Sequence, residues 1–208
     1  MSLRLIQIVT PEGERRVLAG QADGSARAIN GVSSTYELAR KAIAAKKSLT
    51  AQIEAQGFGE DVDVALALSE GRVLAPIDHP DAAHLHVTGT GLTHLGSAEG
   101  RDKMHKAAAA AETQTDSMRM FLMGVKDGKP EAGKVGAQPE WFYKGNGTQL
   151  VGPGADLQSP SFAEDGGEEP EMAGIYVIGD DGAPYRLGYA LANEFSDHVT
   201  EKQNYLWL

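Results

Sequence analysis

Two glutamates that flank a proline, Glu169 and Glu171, stand at the start of an apolar run that alternates as a strand does. Residues two apart in a strand point to the same face, with α carbons about 6.8 Å apart. Pro170 between them cannot donate a ladder hydrogen bond, which favours an edge strand, a strand start or a bulge. The spacing therefore predicts two carboxylates that can converge on one point.

A third acid follows from the pairing of a predicted hairpin. Two apolar runs meet at the turn dipeptide Asp181-Gly182. If these two residues form the turn, Ala183 pairs with Asp180 and residue 169 faces Glu194. Like charges opposite each other destabilise a sheet, whereas three oxygen donors suit a hard cation, so a Mg²⁺ or Mn²⁺ site is predicted. The alternatives are a bulge that shifts the register, or carboxylates that simply face water.

Three segments of this region resemble the signature of the fumarylacetoacetate hydrolase family. They are residues 169–173 (EPEMA), 176–179 (YVIG) and 188–196 (GYALANEFS). In that family a Glu-x-Glu pair and a further acid after a Gly-Tyr strand hold a divalent metal. The resemblance therefore implies Glu169, Glu171 and Glu194 as metal ligands, although the third position is usually Asp.

Two upstream segments extend this resemblance. Residues 142–154 resemble the segment that enters the family's catalytic domain, and residues 91–99 resemble the motif that carries its general base. The motif's histidine is replaced by Ser97, and its glutamate by a glycine. His94, Ser97 and Glu99 are therefore the candidate catalytic residues. Lys144 is the candidate that binds an anionic substrate, and a solvated lysine is its alternative.

The details are most similar to the sugar-acid branch of the family, which is associated with 2-keto-3-deoxy acids and sugar catabolism. The resemblance implies a metal-dependent lyase or hydrolase that acts on a 2-oxo acid, with the metal bound to the 1-carboxylate and 2-oxo oxygens of the substrate. Loss of a C4 hydroxyl from the enolate gives dehydration, and attack of water on a second carbonyl gives carbon–carbon hydrolysis. The substitution at Ser97 leaves open a non-catalytic protein that binds a sugar acid or a cation. We expect a homodimer.

The remaining histidines are weaker candidates. His198 lies four residues after Glu194. It either contacts a metal ligand without binding the metal itself or faces solvent, and we favour exposure to solvent. The three histidines within residues 79–86 are interpreted as structural or exposed.

Nearly all of the net charge of −10 lies in residues 145–208, where two basic residues stand against eleven acidic ones. Such an excess indicates a solvated acidic face, or carboxylates that a cation neutralises. A pI near 5.0 argues against nucleic acid as a partner. The apolar runs are too short to span a bilayer. The absence of cysteine fits a reducing compartment. We therefore expect a cytoplasmic protein without nucleic-acid or membrane partners.

The elements that position these residues are those of an α+β protein. Strands are predicted at residues 3–9, 15–19 and 62–68, and a capping box at residues 34–37 begins a helix that should end at Gly57. Further along, the pattern predicts a helix over residues 100–123, a loop over residues 124–138, a turn-rich extended segment and the hairpin.

This order of elements suggests two domains. We expect a small amino-terminal α/β domain over residues 1–75 and the first part of a mostly β catalytic domain over residues 76–208. In the family, that domain continues beyond the third metal ligand, so the resemblance implies an incomplete catalytic domain. We therefore expect this chain, made alone, to be inactive.

Overall fold

The computed structural model describes residues 3–21, 23–90, 116–137 and 141–203. The chain divides into two compact units, one of Met1–Pro80 with Leu150–Leu208 and the other of Asp81–Gln149. The described residues mix helices and strands, with strand in excess, as expected for an α+β protein. The predicted division into domains at residue 75 stays a prediction.

A four-stranded antiparallel sheet forms the first half of the larger unit. Its strands lie in chain order and are β1 (Arg4–Val9), β2 (Arg15–Gly20), β3 (Ala26–Ile29) and β4 (Phe58–Val62). The first two match the predicted strands. The alternating residues of β3 were not recognised in the sequence, because four residues are too short a run for a clear period of two.

Two helices follow β3 where the sequence predicts one. Helix α1 (Thr35–Ala44) begins at the predicted Ser34 cap, and helix α2 (Leu49–Gln56) ends at Gly57. Between them Lys46 adopts a left-handed conformation with φ of 54°. The hydroxyl of Ser48 then accepts a hydrogen bond from the Ala51 N–H at 3.2 Å. The single-helix prediction is wrong because this second cap starts a new helix within the same apolar period.

The strand predicted at residues 62–68 is also wrong over most of its length. Asp63 accepts a hydrogen bond from the Leu66 N–H at 2.9 Å and thereby caps helix α3 (Val64–Ser69). The apolar residues of this segment are nearly continuous, so their alternation did not distinguish strand from helix. The capping aspartate was the informative signal.

Apolar side chains are buried on both faces of the four-stranded sheet. Val17, Ala19 and Leu38 belong to one cluster, which includes residues of α1 and α2. Leu18 and Ala67 belong to the other, which includes α3. Adjacent residues of β2 thus contribute to opposite clusters, which is the period of two that a strand requires.

The smaller unit contains two strands, one α-helix and two short 3-10 helices, Ala82–His84 and Gly147–Gln149, among its described residues. Strands β5 (His86–Thr90) and β6 (Trp141–Asn146) pair in antiparallel fashion, and helix α4 spans Asp116–Asp127. The predicted helix is confirmed over its described part and extends four residues further. Residues 124–127 are therefore helical instead of belonging to the predicted loop.

A long hairpin completes the larger unit. It consists of β7 (Gly167–Ile178) and β8 (Pro184–Ser196), and a short helix, α5 (His198–Gln203), follows directly. Arg40 of α1 forms an ion pair with Asp180 in the hairpin turn, with 2.8 Å between Nη2 and Oδ1. Among the described residues, no helix has both the length and the hydropathy needed to cross a membrane.

Candidate metal centre

The hairpin places Glu169 opposite Glu194, as predicted. Its turn is nevertheless one residue longer than expected. The Gly179 N–H donates to the Ala183 carbonyl at 2.9 Å, which leaves residues 180–182 as the turn, with Gly182 at a φ of +76°. The predicted pairing of Ala183 with Asp180 is therefore wrong.

A bulge in β8 restores the predicted register. Tyr176 faces Arg186, whereas Ile175 faces Gly188, so Leu187 is the additional residue. One extra residue in the turn and one in the bulge offset each other along the rest of the ladder. The acidic end of the hairpin thus has the register that a two-residue turn predicts, although neither of its two irregularities was visible in the sequence.

The three predicted ligands converge at this end of the hairpin. Glu169, Glu171 and Glu194 each offer one carboxylate oxygen, and these oxygens lie within 4.8 Å of one another. Two oxygens bound to one Mg²⁺ are separated by at most about 4.2 Å, twice the usual Mg–O distance of about 2.1 Å. Small side-chain adjustments therefore suffice, and three hard oxygen donors fit Mg²⁺ or Mn²⁺.

The backbone around Pro170 is supported by a side chain. The N–H of Glu169 donates to Oδ1 of Asn193 at 3.1 Å. Asn193 stands opposite Pro170, which has no N–H of its own to donate. A polar side chain thus supplements the ladder at Glu169, the first of the three predicted ligands.

His198 contacts Glu169, the first of the three predicted ligands, and is not surrounded by solvent alone. Its Nε2 atom is 2.9 Å from Oε1 of Glu169, and the side chains of His198 and Glu169 are 37% and 23% exposed. The preference for exposure at His198 is therefore wrong. The spacing of four residues from Glu194 was its only sequence signal, and it did not indicate contact with Glu169, which is 29 residues away.

Asp197 caps the helix that carries His198. Its Oδ1 accepts hydrogen bonds from the N–H groups of Val199 at 3.0 Å and Thr200 at 2.9 Å. Its Oδ2 accepts from the Thr200 hydroxyl at 2.6 Å and the Glu164 N–H at 2.7 Å. These hydrogen bonds lower the pKa of Asp197 to about 2, and the bond from the Thr200 hydroxyl has the largest effect. The carboxylate thus ties the start of α5 to the segment that leads into β7.

The predicted catalytic residues have a different status. His94, Ser97 and Glu99 lie outside the described residues. Lys144 lies on β6 in the smaller unit. Its ammonium is 5.5 Å from the centre of the Phe142 ring, and its Cε atom would be 2.8 Å from a β carbon at Gly89. The lysine stem therefore crosses the β5–β6 ladder, and its role in substrate binding stays a prediction.

Comparison with known proteins identifies the fold. No protein-family model matches the chain, and no curated protein matches it. Solved structures of 2-keto-3-deoxy-D-arabinonate dehydratase do match. The form complexed with magnesium and 2,5-dioxopentanoate is 19% identical with a TM-score of 0.60, and the match covers 98% of this chain and 59% of that one.

Two further structures of this dehydratase agree. The apo form is 19% identical with a TM-score of 0.59, over 98% of this chain and 59% of that one. The hexagonal crystal form is 20% identical with a TM-score of 0.61, and the match covers 98% of this chain and 60% of that one. The likeness expected from the sequence motifs is thus confirmed for the fold. The chain spans about three fifths of the length of the structures it matches.

Proposed function

We propose that this chain carries the metal centre of a divalent-metal-dependent lyase that dehydrates a 2-keto-3-deoxy sugar acid. One observation carries the proposal: three carboxylates predicted as ligands from the sequence converge at one end of the β7–β8 hairpin. The fold supports it, because the matching structures are those of a dehydratase for such an acid, one of them complexed with magnesium.

In this proposal Glu169, Glu171 and Glu194 hold Mg²⁺ or Mn²⁺. When bound, the cation supplies Lewis-acid stabilisation to the carboxylate and 2-oxo oxygens of the substrate. The three carboxylates leave room for those oxygens, since magnesium in proteins usually keeps several positions for water and substrate. The proposal also accounts for three like charges on neighbouring strand positions, an arrangement that costs stability without a cation.

The proton transfers are assigned to residues of the segment that resembles the family's base motif. A base among His94, Ser97 and Glu99 takes a proton from C3 of the substrate, and the C4 hydroxyl leaves as water after it gains a proton. Lys144 is proposed to attract the substrate carboxylate. Dehydration is preferred over carbon–carbon hydrolysis because the matching structures are those of a dehydratase.

The setting proposed for this activity is a homodimer in the cytoplasm. The composition supports the cytoplasmic location, since a chain without cysteine needs no oxidising compartment. Gel filtration with light scattering tests the homodimer, and a monomer would contradict it.

A turnover assay tests the proposed activity. The full-length protein that carries this chain is incubated with 2-keto-3-deoxy acids and Mg²⁺, and the dehydrated 2-oxo product is measured by mass spectrometry. We expect product with the wild type and with Glu168→Gln, a control on the same strand but the opposite face. We expect at least a 100-fold loss with Glu171→Gln. Equal rates for both variants would contradict the proposal.

A binding protein without catalysis is the second candidate. The observation that favours it is the serine at position 97, where the related motif has its histidine. A centre that captures a sugar acid or a cation would then show metal-dependent binding without product. Calorimetry with Mg²⁺ and the acid, beside the turnover assay, separates the two candidates.

A further inference from the structure

The contact between His198 and Glu169 has a defined chemical sense. Nε2 of His198 lies 2.9 Å from Oε1 of Glu169. The tautomer that carries hydrogen on Nε2 donates it to this oxygen, because a carboxylate oxygen is an acceptor. Glu169 keeps its second oxygen, Oε2, for another partner. A hydrogen bond to one oxygen restricts the rotation of a carboxylate and so limits the directions of the other oxygen.

The position of His198 is fixed from two sides. The backbone N–H of His198 donates to Oδ1 of Asp165 at 3.0 Å. His198 is also the first residue of helix α5, directly after the Asp197 cap. The imidazole also lies against Gly167, at the start of β7. A β carbon at residue 167 would lie 2.9 Å from Cγ of His198 and nearer still to Nδ1 and Cε1. Only a residue without a β carbon lets the ring take this place.

We propose that His198 is a positioning residue of the metal centre, which orients the Glu169 carboxylate so that Oε2 is available to the cation. This inference rests on the proposed function, because it assigns a role within the same centre. Loss of a side chain that forms a hydrogen bond to a metal ligand typically lowers metal affinity by about 10-fold to 100-fold. His198 is not a catalytic residue in this proposal, because it acts through Glu169.

Substitution of His198 gives the first test. The dissociation constant for Mn²⁺ is measured by calorimetry on the metal-free protein. We expect His198→Ala to weaken binding by about 10-fold to 100-fold. His198→Gln, whose amide nitrogen can replace Nε2 as the donor, should recover most of this loss. His84→Ala is the control, because His84 contacts Asp81 in the other unit and should leave the affinity unchanged.

Displacement of the ring gives a second test that keeps every polar side chain. Gly167→Ala puts a β carbon where the imidazole lies, so the ring must leave the position in which it contacts Glu169. The neighbouring Gly166→Ala is its control, since a β carbon there meets Phe195 at an acceptable 3.4 Å. We expect Gly167→Ala to weaken Mn²⁺ binding as His198→Ala does, and Gly166→Ala to bind as the wild type.

The outcomes separate this inference from the function on which it rests. If the wild type binds Mn²⁺ and Glu171→Gln does not, the centre exists. Unchanged affinity in both His198→Ala and Gly167→Ala would then overturn the role of His198 alone. If the wild type does not bind Mn²⁺, the proposed function and this inference fail together. Metal-free melting temperatures, measured for each variant, distinguish weaker binding from loss of the fold. If His198→Ala does not fold, Gly167→Ala and His198→Gln decide the question.

Discussion

At the scale of single residues, the three carboxylates of the candidate metal centre lie close enough to repel one another. Glu194 stands directly opposite Glu169 on the neighbouring strand, and Glu171 lies on the same face. Like charges directly opposite each other destabilise a sheet, and favourable cross-strand pairs, which contribute roughly 0.2–1 kcal/mol, set the scale of the effect. His198 offsets part of this cost at Glu169 through its hydrogen bond.

This repulsion predicts that loss of one charge stabilises the metal-free protein. We expect Glu194→Gln to raise the free energy of unfolding by about 0.5 kcal/mol without metal, because the pair with Glu169 is removed. Urea denaturation in the presence of a chelator measures it. Glu168→Gln, on the other face of β7, should have a smaller effect. A lower stability of Glu194→Gln would show that the carboxylates do not repel one another.

The convergence of the three candidate ligands could be predicted from the sequence, whereas the contact of His198 with Glu169 could not. Glu169 and Glu171 follow from the period of a strand, and Glu194 from antiparallel pairing, which are both local rules. The contact of His198 with Glu169 depends on where α5 turns after β8 and on the space left by Gly167. Such a contact is tertiary, and no spacing in the sequence encodes it.

At the scale of elements, capping residues decided what the apolar pattern left ambiguous. Ser48 divides the predicted helix into α1 and α2, and Asp63 converts a predicted strand into α3. The hairpin register was predicted although its turn and its bulge were not, because two one-residue irregularities offset each other. Apolar periodicity therefore identified the long elements, and side-chain hydrogen bonds set the short ones.

The Asp197 cap gives a prediction about pH. Its pKa falls from 3.8 to about 2 in the folded protein, chiefly because the Thr200 hydroxyl and N–H donate to it. The stability that this carboxylate contributes is therefore present above pH 3.8 and is lost as the pH falls through about 2. We expect Asp197→Asn to melt at a lower temperature than the wild type at pH 7.

The difference in melting temperature between the wild type and Asp197→Asn should shrink as the pH is lowered from 3.8 to about 2. Melting temperatures from pH 7 to pH 2 measure it, with Asp156→Asn, an exposed aspartate of the same unit, as the control. A difference that stays constant down to pH 2 would exclude a contribution from the charge of Asp197.

At the scale of the whole molecule, the four-stranded sheet and its helices contain the two buried apolar clusters, and the β7–β8 hairpin carries the three glutamates of the candidate metal centre. Leu18 is fully buried in the cluster that includes α3. Leu66, on α3 itself, is 50% exposed. The two leucines provide a matched pair that tests where the stability of the larger unit lies.

We expect Leu18→Ala to lower the free energy of unfolding by about 3 kcal/mol, since it leaves a cavity between the sheet and the helix. Leu66→Ala should cost less than about 1 kcal/mol, because half of its side chain already contacts water. Chemical denaturation measures both. Equal losses would contradict the placement of the core.

The most direct test of the metal centre is the effect of Mg²⁺ or Mn²⁺ on the melting temperature of the protein. A cation bound by the folded state alone stabilises it by about 2.7 kcal/mol at a concentration 100 times its dissociation constant. We expect a rise in melting temperature in the wild type and in Glu168→Gln, and none in Glu171→Gln, which keeps the shape of the side chain but loses its charge. Equal metal-induced shifts in the wild type and in the Gln variants of Glu169, Glu171 and Glu194 would contradict the account.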